Sequence, residues 1–95
     1  MVTTSTVKTA FGESYLKRLC RHFAHKIPAS AEGQQGKIEF PFGLCRIEVD
    51  DQEMRIRIQV DDSENVEKAE KVVGEHLVRM ANRDEPVVVW VRQTT

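Results

Sequence analysis

The string Cys20-x-His22-x-x-His25 puts three residues of the zinc-ligand type within six positions. Cys and His are the donors that zinc prefers; a structural site takes four, a catalytic site three and a water. On a helix Cys20 and His22 point about 200° apart and cannot grip one ion, while His22 and His25 diverge by only about 60°. Two imidazoles are not a site, so a metal reading needs His22, His25 and His76 together, with Glu or Cys donors from elsewhere in the fold. A second chemistry uses the same stretch without metal. Lys17, Arg18, Arg21, His22, His25 and Lys26 would form one basic surface able to hold an anionic ligand or an acidic protein face. A third uses His76 alone as a general base in a small pocket. Each has an ordinary counterpart. A charged helix face is commonly just solvated, with its last cations favoured by the helix dipole. A histidine at the edge of an apolar stripe is commonly a core residue with its ring nitrogens satisfied.

Two further features carry less chemistry. Cys20 and Cys45 both fall on apolar faces, where a thiol behaves as a small hydrophobe, so both are expected as buried free thiols. Phe40-Pro41-Phe42-Gly43 fits a type I turn, with its rings packing in the core or lining an apolar pocket. Gly-rich phosphate loops, nucleophile elbows and His-Glu-x-x-His are all missing from the chain.

The elements that must position these residues follow from periodicity. Val2 to Phe11 reads as a first strand, although its Thr-rich start also leaves residues 1–6 open to disorder. Leu16, Leu19, Cys20, Phe23 and Ile27 form one stripe of a helix capped at Ser14 and ended by Pro28. Residues 29–36 read as a loop. Strands are expected over 37–41, 43–50 and 53–60, each alternating apolar and charged. Asp61 with Glu64 fits a capping box for a second helix with Val66, Ala69, Val73, Leu77 and Met80 inward. Residues 87–92 complete the set as a last strand. In that strand Val87, Val89 and Val91 are expected to face the helices. Trp90 would then lie on the charged face, covered by Arg55 or Arg57, or failing that by a second copy. A register flip that buries Val88 and Trp90 is the remaining possibility. The order is β-α-β-β-β-α-β, and a sheet with one charged face needs both helices on the other. The fold class is α+β: a two-layer sandwich with a mostly antiparallel sheet, in a single domain over residues 1–95.

Three blocks, Tyr15 to Lys26, Gly36-x-Ile38-Glu39-Phe40-Pro41-Phe42-Gly43-x-Cys45 and Val73-Gly74-x-His76-Leu77-x-Arg79, together resemble a family of short bacterial proteins known as domain of unknown function 2218. The resemblance runs from Tyr15 to Trp90. It implies a bacterial protein and, through relatives associated with siderophore-utilisation genes, a link to iron. It brings no catalytic residue, substrate or cofactor with it.

Composition bounds the rest. The chain has 95 residues, 40% hydrophobic and 31% charged, enough for one modest core. No apolar run approaches the roughly 20 residues of a bilayer helix. The polar N-terminus and two cysteines predict a cytoplasmic protein with reduced thiols. The net charge is −1, but residues 1–46 hold seven Lys/Arg against three Asp/Glu, and residues 47–95 hold seven against twelve. A bipolar chain without an overall basic balance argues against nucleic acid. The expected protein is therefore a non-catalytic binding module, a monomer or weak homodimer, that recognises an anion or acidic partner through its first helix. Metal handling through His22, His25 and His76, of iron or zinc, is the alternative.

Overall fold

The computed structural model describes residues 1–93. Its elements run β1 (Val2–Lys8), α1 (Gly12–Phe23), β2 (Ala29–Glu32), β3 (Gln35–Phe40), β4 (Gly43–Val49), β5 (Glu53–Val60), a 3₁₀ turn (Ser63–Asn65), α2 (Val66–Met80) and β6 (Val91–Gln93). The six strands form one sheet in the order β2-β3-β4-β5-β1-β6, antiparallel at every pairing. Alternation decides which side is covered. Ile38, Cys45, Ile47, Met54, Ile56 and Ile58 are buried under the helices, while Lys37, Arg46, Glu48 and Arg57 face out. Both helices pack on that one apolar face, α1 over β2, β3 and β4, α2 over β1 and β5. The expected two-layer α+β architecture therefore holds.

α1 and α2 lie antiparallel, as their contacts show: Arg18 meets the end of α2 while His22 meets His76. Gly36 lets α1 sit low on the sheet, because a Cβ there would come within 2.5 Å of Leu16 Cδ1 and 3.0 Å of Cys20 Sγ. Beyond α2 the chain is held by a buried knot. Tyr15, fully buried, donates from its hydroxyl to Asp84 Oδ1 at 2.5 Å and accepts from the backbone N–H groups of Arg83 and Asp84 at 3.1 Å. Thr9 Oγ1 donates to Asp84 Oδ2 at 2.7 Å and accepts from Phe11 N.

Five local expectations are corrected. Ala29–Glu32 lies in the stretch read as a loop, yet it pairs along β3 as an edge strand. Its stability comes from backbone pairing and from Gly33, at φ 61°, in a two-residue turn; it has no apolar face for periodicity to reveal. The first helix begins at Gly12 rather than after Ser14, and it ends at Phe23, four residues before the expected limit. In place of an Asp61 capping box, Asp62 caps the 3₁₀ turn that leads into the second helix, its side chain accepting from Glu64 N, while Asn65 at the N-cap of α2 makes no side-chain cap bond. The first strand, expected over Val2 to Phe11, is present as β1 with Val2 buried, but it stops at Lys8, three residues short.

The fifth correction concerns the last strand, which is shorter than expected. Only Val91–Gln93 pairs with β1. Val88 and Trp90 turn toward the core, while Val87, Val89 and Val91 are 73%, 64% and 56% exposed. The inward register wins because α2 offers a seat. At Gly74 there is no side chain, and the indole Nε1 lies 3.4 Å from where a Cβ would be. Arg55 is engaged instead with Asp50 at 2.9 Å and Glu53 at 3.1 Å, so it does not cover the indole.

One ion pair staples α2 to β6 and β1. Glu70, nearly buried, accepts from Arg92 Nη2 at 2.8 Å and Nε at 3.0 Å, and from Thr3 Oγ1 at 2.7 Å. The Arg92 bonds, helped by Thr3 and opposed by burial, hold its carboxyl below the ordinary value of 4.5. A depressed carboxylate contributes stability above its unfolded pKa and loses it as pH falls through the folded one. Glu70→Gln is accordingly expected to cost about 1–2 kcal/mol at neutral pH. The difference from wild type should narrow below pH 4.5 and vanish in stronger acid. Urea unfolding across pH measures it, and a difference that stays constant with pH would refute the assignment.

Candidate functional site

The six basic residues of the Tyr15–Lys26 stretch are all exposed, and two of them have partners within the fold. Lys17 is tied to Glu13 one turn earlier, at 3.2 Å. Arg18 reaches across to α2 and donates from Nη1 to the carbonyl of Met80 at 3.1 Å, satisfying one of the helix's orphan acceptors. Arg21 and His22 occupy the last turn of α1, whereas His25 and Lys26 lie beyond its end. That end is closed by Ala24 N bonding to Cys20 O and by Lys26 N and Ile27 N both bonding to Phe23 O.

Across the helix pair the fold adds what the sequence reading held apart. The His22 ring lies 5.0 Å from that of His76, centroid to centroid, and Phe23 packs 5.1 Å from His22 and 5.0 Å from His76. The stack continues through Phe40 at 4.9 Å to Phe42, whose ring lies parallel to that of Phe40 at 4.7 Å. The Phe40 and Phe42 rings are thus core packing, and they support Phe23, which lies against both imidazoles. His76 Nδ1 lies 2.6 Å from the carbonyl of Val72. It is the donor there, since a carbonyl can only accept, which leaves Nε2 as the free ring position.

His22 is held below its ordinary pKa of 6.5, first by lost hydration where its ring packs, then by His76, His25, Lys26 and Arg79. All four of those neighbours are cationic or become so on protonation. Arg79 was missed as part of this cluster; its signal was its place three residues after His76 on α2. His25 contributes charge, but His22 and His76 form the pair. Among the described residues no three His, Cys, Asp or Glu side chains converge to hold a metal ion. The expected His22, His25 and His76 trio is therefore not assembled here. His25 lies in the turn just beyond the end of α1 at Phe23.

The other expected chemistry is placed as follows. Cys20 and Cys45 are buried and unbridged. Burial pushes the Cys45 thiol up to about 12 and raises that of Cys20, so neither is a nucleophile at neutral pH. A groove of about 670 Å³ runs between α2 and the Val88–Trp90 segment, lined by Glu67, Glu70, Lys71, Gly74, Glu75, Val78, Arg79, Val88 and Trp90. His76 does not line it, so this groove does not supply a pocket for His76 to act in as a general base.

Comparison with known proteins decides the lineage. A family model described as "uncharacterized protein conserved in bacteria (DUF2218)" matches residues 4–91. The chain belongs to this family. A solved structure, the NMR structure of PA4090 from Pseudomonas aeruginosa, shares 28% identity over 95% of this chain and 94% of that one, with a TM-score of 0.77. The likeness runs over nearly the whole of both chains. Among curated proteins none matches. Among the described residues no helix is long and apolar enough to cross a membrane.

Proposed function

We propose that this protein is a non-catalytic binding module of the bacterial cytoplasm that recognises a small anionic ligand at the His22–His76 end of the helix pair. His22, His25 and Lys26 act from the end of α1, and His76 and Arg79 from α2. The observation that supports the reading is the setting of His22, an imidazole whose charged neighbours are all of one sign. A site of this kind costs energy to assemble when empty and regains it when an oxyanion binds. It would favour doubly charged oxyanions such as phosphate over chloride, because two imidazoles and a guanidinium can each donate to a separate oxygen.

The test is an NMR titration of the His22 ring across pH, with and without inorganic phosphate. Bound phosphate should raise the His22 pKa, and the increase should be lost in Arg79→Gln. A His22 titration that ignores phosphate would sink the proposal. Metal handling keeps one observation in its favour. His76 has Nδ1 tied to a backbone carbonyl and Nε2 available, the arrangement that orients histidine ligands. Metal content measured on untagged protein separates the two readings.

A further inference from the structure

The open face of the sheet carries an arrangement that neither composition nor periodicity points to. Register places Lys37 of β3 directly opposite Arg46 of β4, and Arg46 directly opposite Arg57 of β5. The same row carries a hydroxyl on either side of the cations, with Ser30 of β2 opposite Lys37 and Thr4 of β1 opposite Arg57, and Val91 of β6 follows beyond Thr4. All three cations are exposed, and among the described residues none of them makes an ion pair. Of the carboxylates in the two adjoining rows, Glu48 is drawn to Arg55 at 3.8 Å, and Glu39 beside Lys37 makes no ion pair among the described residues.

Like charges directly opposite across strands destabilise a sheet. Here two such pairs are consecutive in a single row. Ordinary surface patterning would alternate signs, as the neighbouring row does with Glu48 opposite Arg55. Shallow depressions flank Arg46: one of about 330 Å³ bounded by Thr4, Arg46, Arg55, Arg57 and the carboxylate of Glu48 among others, and one of about 160 Å³ bounded by Ser30, Lys37, Arg46 and the carboxylate of Glu32 among others.

We infer that this row is a second binding site, separate from the helix-end cluster, for a small molecule carrying two or three oxyanion groups. Strand spacing of about 4.8 Å sets the cations in a line about 10 Å long. One phosphate or carboxylate can reach two neighbouring members, and a chain of two or three such groups can engage them all. Each guanidinium accommodates a phosphate or carboxylate with two parallel hydrogen bonds, and Lys37 adds a point charge. Thr4 and Ser30 can donate to oxygens at the ends. The described open face has no aromatic side chain on which bases could stack, which turns the site away from single-stranded nucleic acid.

The experiment is a heteronuclear NMR titration of the whole chain with tripolyphosphate and, separately, with citrate, in wild type and in the Lys37→Gln/Arg46→Gln/Arg57→Gln variant. Saturable shifts are expected along β1, β3, β4 and β5, weakened by about tenfold or more in the variant. Preference for one titrant tells phosphate from carboxylate chemistry. The ligand-free variant should be at least as heat-stable as wild type, since it removes cross-strand repulsion. Equal responses in both proteins, no saturation with either anion, or a variant that folds but melts earlier would each overturn the assignment. An Arg79→Gln control keeps this site distinct, because it should leave the open-face shifts unchanged.

Discussion

Gly43→Ala is expected to destabilise the protein by about 3 kcal/mol, the largest effect of a single added methyl in this chain. Gly43 opens β4 directly after the Pro41-Phe42 turn, opposite Phe40 on one side and Val60 on the other. A Cβ at this position would stand 2.1 Å from the Gln59 carbonyl oxygen and 3.0 Å from Val60 Cα. Both are backbone atoms of a central strand, so no rotamer change relieves the clash. The strand pair must separate at its end, which also disturbs the stacked Phe40 and Phe42 rings. Thermal and urea unfolding measure the loss, and a midpoint within one degree of wild type would show that the close approach is not real. Gly33→Ala serves as a contrast. A Cβ there meets nothing within 4 Å, so only the cost of its φ of 61° should appear, about 1 kcal/mol.

Tyr15→Phe is expected to cost about 2–4 kcal/mol although it removes one oxygen and leaves the ring in place. That oxygen donates to Asp84 and accepts from two backbone N–H groups, in a partly buried site. Losing it strands both N–H groups and leaves Thr9 as the remaining side-chain donor to Asp84. An orphaned buried donor costs more than the net value of the bond it made. Arg83, whose guanidinium lies 5.7 Å over the Phe11 ring, belongs to the same loop and should loosen with it. A double-mutant cycle with Asp84→Ala should show strong coupling, because both single changes break the same network. Additive losses would mean that Tyr15 acts only through its packing.

The two expectations rest on features of opposite legibility. Pro41 and Gly43 announced a turn at the expected place, and the alternation of Ile47, Val49, Ile56 and Ile58 set the covered face of the sheet. These are local signals: a period of two fixes which side chains share a face without knowledge of the partner strand. The two helices and the free, buried thiols were readable on the same ground. The Tyr15–Asp84 knot was not readable, since nothing at Tyr15 marks a partner 69 residues away.

What the sequence determined by itself was both helices, the strands other than the edge strand β2, the inward faces of α1, α2 and β3 to β5, and hence the two-layer α+β class, because burial of apolar surface dominates those choices. What only the tertiary structure decided was which strand lies beside which. Trp90 turned inward because Gly74 of α2 leaves room for an indole, a fit invisible to a period count. β1 was placed between β5 and β6 by pairing across half the chain. The functional candidates depend on that same assembly. His22 met His76 because α1 and α2 run antiparallel, with His25 lying just beyond the end of α1. Lys37, Arg46 and Arg57 became one line of charge only through strand register, since a shift of one residue would have turned each of them under the helices.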